Sequence, residues 1–369
     1  MKPTRHDEQH DERYMTLALG LARRGLGRVW PNPAVGCVIV DAAGHVAGRG
    51  WTQAGGRPHA ETEALRQAGP RARGATAYVS LEPCAHHGKT PPCAQALIDA
   101  GLARVVSAVE DPDTRVSGAG HALLKAAGIT VRTNVMANRA KDTNAGFFSR
   151  IQRGRLEVTL KLATTLDGKI ALTGGESRWI TGERARAHTH LVRARHDAIM
   201  IGIRTALADD PELTCRLPGI DASNLVRVVV DTKARLSPAS KLGRSATTQP
   251  VWLVTSKAAD TGALQQAGVK TIAVPADENA VDLSAAMNAL AAQGLTRLLV
   301  EGGATLATSL IKANLVDRLL WYRAPWIMGE GTQAVASLDL SGLGDMPRFR
   351  HEETIRLGED VLETYGAAT

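Results

Sequence analysis

The stretch Leu81-Glu82-Pro83-Cys84-Ala85-His86-His87-Gly88-Lys89-Thr90-Pro91-Pro92-Cys93, with His59-Ala60-Glu61 upstream of it, decides how this chain is read. The two segments supply one imidazole, two potential thiolates and a carboxylate beside the imidazole. That set suits zinc, which takes Cys sulfur and His nitrogen tetrahedrally. Three protein ligands leave a fourth position for a water whose pKa the metal lowers. A carboxylate beside that water can take its proton and pass it to a departing amine, which is why zinc deaminases need a glutamate that is not a ligand. His59, Cys84 and Cys93 are therefore the candidate ligands and Glu61 the candidate proton shuttle. Pro58 and Pro91-Pro92 mark two helix starts, so two helix N-termini can converge on one metal, and their partial positive charge should favour thiolate at Cys93. His59 and Glu61 would diverge on a regular helix, so they must sit in an irregular first turn. The rival reading is a closed structural zinc site with His86 or His87 as fourth ligand. Cys37 and Cys215 read as non-ligands.

Outward from this stretch, apolar and polar runs alternate as strands and helices do. Met15, Leu17, Ala18, Leu19, Leu21 and Ala22 form a broad apolar face over 11–25, predicting a helix. Val35–Val40 and Thr76–Leu81 predict strands, His59–Ala68 and Cys93–Ala100 helices, and Arg104–Val109 a further strand. The alternation predicts an α/β sandwich with a mostly parallel sheet. The pattern pauses in the basic stretch Arg150-Ile151-Gln152-Arg153-Gly154-Arg155, which divides the chain into domains 1–150 and 151–369. Beyond it, strands are predicted at Leu156–Leu162, Ala198–Ile201, Val226–Asp231, Val251–Thr255, Thr271–Val274, Arg297–Val300 and Leu319–Tyr322, with helices between several of them. This is a second α/β domain. In it, Glu301-Gly302-Gly303-Ala304-Thr305-Leu306 follows an apolar strand and opens a helix, a place where backbone N–H groups can meet an anionic phosphate. No Gly-x-Gly-x-x-Gly fingerprint follows a strand, so any nicotinamide site is not of Rossmann type.

Composition narrows the class. At 369 residues, with 44% hydrophobic and 22% charged residues, the chain is a globular protein of two or three domains, not a fibrous or disordered one. Aromatic residues at 4% argue against a stacking platform for single-stranded nucleic acid. Four cysteines are too few for a disulfide framework, which points to a reducing compartment, and no signal peptide or membrane segment is evident; the expected location is the cytoplasm. Residues 1–150 hold 19 Lys/Arg against 13 Asp/Glu and residues 151–369 hold 25 against 24, so the surplus is +6 in the first half and +1 in the second. A basic first half can attract phosphorylated small molecules or simply be a solvated surface.

Pro31-Asn32-Pro33-Ala34-Val35-Gly36-Cys37, His59-Ala60-Glu61 and the long cysteine segment together resemble the cytidine-deaminase-like half of the bifunctional riboflavin-biosynthesis deaminase-reductases. Generic zinc deaminases place two residues between the cysteines; here there are eight, as in that family. The resemblance continues through Lys161–Lys169, Gly175–Thr181, Ala208-Asp209-Asp210-Pro211 and Val300-Glu301-Gly302-Gly303, and so covers nearly the whole chain. One departure is Ala85, where the family usually has Ser.

The resemblance implies an N-terminal cytidine-deaminase-like three-layer α/β/α domain and a C-terminal dihydrofolate-reductase-like α/β domain. It implies zinc-dependent removal of the 2-amino group of 2,5-diamino-6-(5-phosphoribosylamino)pyrimidin-4(3H)-one, then NADPH reduction of the ribosyl group of the product to ribityl. By motif, His59, Cys84 and Cys93 match the zinc ligands, Glu61 the proton shuttle, and Asn32, His86 and Lys89 the positions that hold ring and phosphate. Ala163, Trp179, Thr205, Asp209, Thr232 and the run Gly303, Ala304, Thr305, Leu306, Ala307, Thr308, Ser309 match the NADPH site. Ser177, Arg193, Leu213, Arg216 and Glu301 match the reductase substrate site, where Arg193 and Arg216 suit a phosphate because a guanidinium can grip it with two parallel hydrogen bonds. Lys161 and Asp209 are the candidates for proton management. The expected partners are small phosphorylated pyrimidines, in a homo-oligomer, without nucleic acid or membrane. A different class, a tRNA-editing zinc deaminase with a C-terminal RNA-binding module, would share the His-x-Glu chemistry. The cysteine spacing and the near-neutral second half weigh against it.

Overall fold

The computed structural model describes residues 5–85 and 91–368. The chain divides into two compact units, Met1–Arg153 and Gly154–Thr369.

In the first unit, helix α1 (Arg5–Ala22) leads to strands β1 (Gly36–Val40) and β2 (Val46–Trp51), helix α2 (Ala60–Ala68), strand β3 (Thr76–Val79), helix α3 (Cys93–Asp99) and strand β4 (Arg104–Ser107). Helix α4 (Ala119–Ala126), strand β5 (Thr130–Arg132) and helices α5 (Ala137–Thr143) and α6 (Ala145–Arg153) complete it. The apolar stripe of α1 is narrower than its sequence implies: Met15, Ala18, Leu19 and Ala22 are buried, whereas Leu17 is exposed. The sheet order is β2-β1-β3-β4-β5. It is mixed, not mostly parallel: β1 pairs antiparallel with β2 and β3, and only β3-β4-β5 run parallel. The reason is a tight turn after β1, where Asp41 Oδ1 accepts the N–H groups of Ala43 and His45, and so short a connection can only join antiparallel strands.

Side-chain alternation along β1 separates two helical layers. Gly36 faces α1, for a Cβ there would meet the Ala18 carbonyl, whereas Gly48 and Gly50, paired with Ile39 and Cys37, face α2. The helix α3 packs beside α2 and α5 beside α1, giving the three layers around a core that includes Tyr78, Ile39 and Leu97.

The second unit runs through β6 (Glu157–Thr164), β7 (Lys169–Ala171), α7 (Glu183–Ala194), β8 (Ala198–Gly202), α8 (Ile203–Asp209), β9 (Val226–Val230), α9 (Lys241–Arg244) and β10 (Val251–Ser256). It continues with α10 (Gly262–Gln266), β11 (Lys270–Val274), α11 (Leu283–Ala292), β12 (Arg297–Val300), α12 (Ala304–Lys312), β13 (Arg318–Arg323), β14 (Thr332–Gln333), β15 (Phe349–Leu357) and β16 (Asp360–Ala367). Its large sheet has the order β11-β10-β9-β8-β12-β6-β13-β16-β15. From β11 to β13 every pairing is parallel, and the hairpin β15-β16 closes one edge antiparallel. The parallel strands are apolar runs buried on both faces, as in Ile199, Met200, Val228, Val229, Leu298 and Leu299.

Candidate active sites

Two helix starts and one strand exit build the metal cluster. His59 is the N-cap of α2, with extended backbone (φ −73°, ψ 161°), and Glu61 lies in the first turn, so the two side chains can share a site despite their spacing. Cys84 follows β3, and Cys93 is the first residue of α3. His59 Nδ1 lies 3.2 Å from Cys93 Sγ and 3.7 Å from Cys84 Sγ, and the Cys93 N–H donates to Cys84 Sγ at 3.3 Å. All three ligand atoms fall within 4.8 Å of one another. Zinc bonds of about 2.0–2.3 Å at tetrahedral angles require ligand separations of roughly 3.5 Å, so the donor set fits zinc.

Among the protein groups alone, Cys84 is the proton-poor sulfur. A hydrogen bond from the Cys93 thiol, assisted by His59, holds it down to about 4 against the opposing effect of burial. Without a metal, Cys93 is pushed far up by donating to Cys84 and by burial beside Glu61, so the two sulfurs share one proton. The bond to Cys84 raises His59. Glu61, only 3% exposed, is pushed up to about 7, first by burial and then by the Cys84 charge.

His59, Glu61 and Cys84 line a cavity of about 490 Å³ that Asn32 also lines. Gly56, at φ +84°, makes room for Asn32, whose Nδ2 would lie 2.0 Å from a Cβ at that position. Arg57, Asp111, Asp113 and Arg115 line the cavity as well and were not evident in the sequence, because they come from loops without a motif. His86, His87 and Lys89 lie outside the described residues.

The second unit has a cavity of about 570 Å³ lined by Lys161, Ala163, Ser177, Trp179, Arg193, Thr205, Asp209, Leu213, Arg216 and Glu301. Glu301 and Thr205 lie just beyond the carboxyl ends of β12 and β8, where open α/β sheets place ligands. Thr232 and the run Gly303–Ser309 are not part of its lining. Thr232 follows β9, and its carbonyl accepts the Thr255 hydroxyl at 3.2 Å. Gly303 caps α12 at φ +50°, and a Cβ there would sit 2.9 Å from Thr205 Oγ1. Along that helix Leu306, Ala307 and Thr308 are buried, and the Thr308 hydroxyl donates to the Ala304 carbonyl at 2.6 Å. Ala304, Thr305 and Ser309 are less covered.

Arg193 grips Glu301 with two bonds, Nε to Oε1 at 2.6 Å and Nη2 to Oε2 at 2.9 Å, while Nη1 donates to the Thr214 carbonyl at 2.9 Å. Its fork is thus engaged by a carboxylate, whereas Arg216 reaches Glu212 only at 3.7 Å and is more exposed. Lys161 is half-buried in the cavity wall; its lost hydration lowers its pKa, and the Glu301 charge opposes this. The Asp209 carbonyl accepts from Arg178 Nη2 at 3.3 Å. Arg186 and His190 also line the cavity; with Thr189 and Arg193 they form one face of α7, a 3–4 spacing that could have been read from the sequence. Cys37 and Cys215 stand apart from the metal cluster: Cys37 is buried in the sheet, and the Cys215 thiol donates to the His190 carbonyl at 3.3 Å.

Comparison with known proteins identifies a family match in each half of the chain. The model for the cytidine and deoxycytidylate deaminase zinc-binding region matches residues 8–109, and that for the RibD C-terminal domain matches residues 157–362. The riboflavin biosynthesis protein RibD of Escherichia coli K12 is 41% identical over 370 residues, covering 97% of this chain and all of that protein. The solved structure of Acinetobacter baumannii RibD, form 1, superposes with a TM-score of 0.89 at 36% identity, over 98% of this chain and 100% of that one. The solved structure of a diaminohydroxyphosphoribosylaminopyrimidine deaminase/5-amino-6-(5-phosphoribosylamino)uracil reductase from Thermotoga maritima gives 0.87 at 33% identity, over 98% and 99%. No helix among the described residues is long and apolar enough to cross a membrane. A relative matched end to end, and a matching model in each half, show that this chain belongs to the RibD family, the bifunctional deaminase-reductases of riboflavin biosynthesis, which use zinc in one half and NADPH in the other.

Proposed function

We propose that residues 1–150 carry the deaminase and residues 151–369 the reductase, and that the substrates are the two pyrimidine nucleotides after which the Thermotoga relative is named. The first half would replace the 2-amino group of the diaminopyrimidine nucleotide by oxygen from water, releasing ammonia. The second would transfer hydride from NADPH to C1 of the opened sugar, with one proton supplied, to leave a ribityl chain. The carrying observation is the His59, Cys84 and Cys93 cluster, of which His59 and Cys84 line one cavity together with buried Glu61. When bound there, zinc supplies a Lewis acid and an acidified water. Glu61 would take the proton of the attacking water and hand it to the departing amine. Asn32, His86 and Lys89 would hold ring and phosphate.

In the reductase half, Ala163, Trp179, Thr205, Asp209, Thr232 and the run Gly303–Ser309 would hold NADPH. Because Leu306, Ala307 and Thr308 are buried, the run would act through the free N–H groups of its helix start. Ser177, Arg193, Leu213, Arg216 and Glu301 would hold the substrate. Lys161 and Asp209 would manage the proton, and the hydride chemistry belongs to the cofactor. We also take the enzyme to be a cytoplasmic homo-oligomer that binds no nucleic acid. Trp179, Trp326 and Ile327 expose apolar surface that a second copy could cover, which light scattering would test.

Incubating the protein with the diaminopyrimidine nucleotide, with and without NADPH, and identifying products by mass tests the reading. Ammonia and the uracil nucleotide should form without NADPH, and the ribityl product only with it. Reduction without prior deamination, or deamination of a tRNA base instead, would overturn it.

A further inference from the structure

Glu82 belongs to the decisive stretch, yet zinc chemistry leaves it unused. It stands two residues before Cys84, its side chain only 2% exposed. Its neighbour among basic side chains is His121, whose Nδ1 lies 3.9 Å away. The carboxylate is instead satisfied by backbone. Oε2 accepts the N–H groups of Asp111 at 3.2 Å and Gly118 at 2.9 Å, and Oε1 accepts those of Gly120 at 2.9 Å and His121 at 3.4 Å. Gly118 is the N-cap of α4, so one negative group meets the unpaired donors and positive end of that helix. The approach is close: a Cβ on Gly120 would lie 1.9 Å from the Pro83 carbonyl and 3.2 Å from Glu82 Oε1.

The segment between the two Oε2 contacts is a wall of the deaminase cavity, lined by Asp111, Asp113, Arg115 and Val116. Its interior is self-bonded. Asp113 accepts the Arg115 N–H and guanidinium through its carboxylate, and the N–H groups of Val116 and Ser117 through its carbonyl. Glu82 Oε2 accepts at both ends of this segment, from the N–H groups of Asp111 and Gly118, and so ties both ends to the zinc-ligand stretch. The Glu82 N–H also donates to the Val109 carbonyl at 2.9 Å, which ties the zinc-ligand segment to the strand exit from which the wall begins.

We propose that Glu82 is a positioning residue of the deaminase: it sets the 111–117 wall at a fixed distance from the ligand Cys84 and thereby fixes how the substrate fits. This rests on the reading that the cavity takes the diaminopyrimidine nucleotide. Glu82→Gln keeps the volume but turns an NH₂ toward two of the four donors, so it releases part of the wall; Glu82→Ala releases all of it.

The test measures deaminase kinetics, zinc content and hydrogen exchange over 110–121 in the full chain, with reduction of the uracil nucleotide as internal control. For Glu82→Gln the KM should rise about tenfold with kcat within about threefold, and Glu82→Ala should raise KM further. Exchange over 110–121 should quicken while zinc stays near one per chain and reduction is unchanged. An unchanged KM, or loss of zinc and kcat together in Glu82→Gln, would overturn the proposal. If Glu82→Ala does not fold, the Gln variant decides. If the wild type does not deaminate the nucleotide, the substrate reading fails separately, and the clamp is then decided by whether exchange quickens in Glu82→Gln with zinc retained.

Discussion

Glu61 and His196 show how differently single residues announce themselves. Glu61 was marked as the candidate shuttle by its place beside His59, because a zinc deaminase needs an unligated carboxylate to move protons. Glu61→Gln should stop ammonia release, by at least about a hundredfold, while the same protein still reduces the uracil nucleotide. Persistent deamination would remove the shuttle role. His196 carries no sequence signal, yet it is fully enclosed: its ring bonds the Val192 carbonyl at 2.7 Å and Thr159 Oγ1 at 3.2 Å. Burial, and then the Arg297 charge, push it down from 6.5 to about 3. The unfolded chain takes up this proton below about pH 6.5 and the folded chain does not, so stability is full above that pH and is lost as pH falls toward about 3. The loss for this group is up to roughly 4–5 kcal/mol. Urea unfolding of the protein across that range should show the slope, and His196→Asn should flatten it; equal slopes in both proteins would count against this account. Arg193 is an intermediate case. The family resemblance marked it for a binding site, but only the fold revealed that Glu301 occupies its fork.

At the scale of elements, β2 and α2 explain a missed strand. Val46–Trp51 holds two glycines, which are poor strand formers, and hence lacks the apolar run that marks its neighbours. Those glycines exist for packing: a Cβ on Gly50 would sit 2.3 Å from the Ala60 carbonyl, and one on Gly48 2.1 Å from that of Ala64. Gly50→Ala should therefore push away the helix start that carries His59 and Glu61, lowering zinc content and deaminase activity at least tenfold and costing a few kcal/mol. Near-normal zinc content in that variant would show that the helix can yield. Gly20, in the last turns of α1 with nothing within 4 Å of a Cβ, is the contrasting site; Gly20→Ala should raise stability by about 0.5–1 kcal/mol in denaturant unfolding. The hairpin β15-β16 escaped notice for another reason. Most of Phe349–Leu357 is exposed, with four charged residues among its nine, so its pairing is settled by β16 against β13 and not by its own periodicity.

For the whole molecule, each unit holds its own core and its own cavity, and the surplus positive charge lies in the unit with the metal cluster. Removing zinc with a chelator should abolish deamination and lower the thermal midpoint of the deaminase unit by about 10 °C or more, with reduction retained and zinc restoring the loss. Loss of both activities on chelation would contradict that division. The sequence by itself determined the α/β class, most strands of both sheets and the residues of the candidate metal cluster with Glu61 beside it. These depend on local periodicity and on residue types whose chemistry is specific, so neighbours along the chain suffice to reveal them. Only the tertiary structure decided the mixed direction of the first sheet, the engagement of Arg193, the burial of Leu306–Thr308 and the backbone contacts of Glu82. Each of these depends on which backbone groups and charges meet across long stretches of intervening chain, a fact of packing that no local pattern encodes.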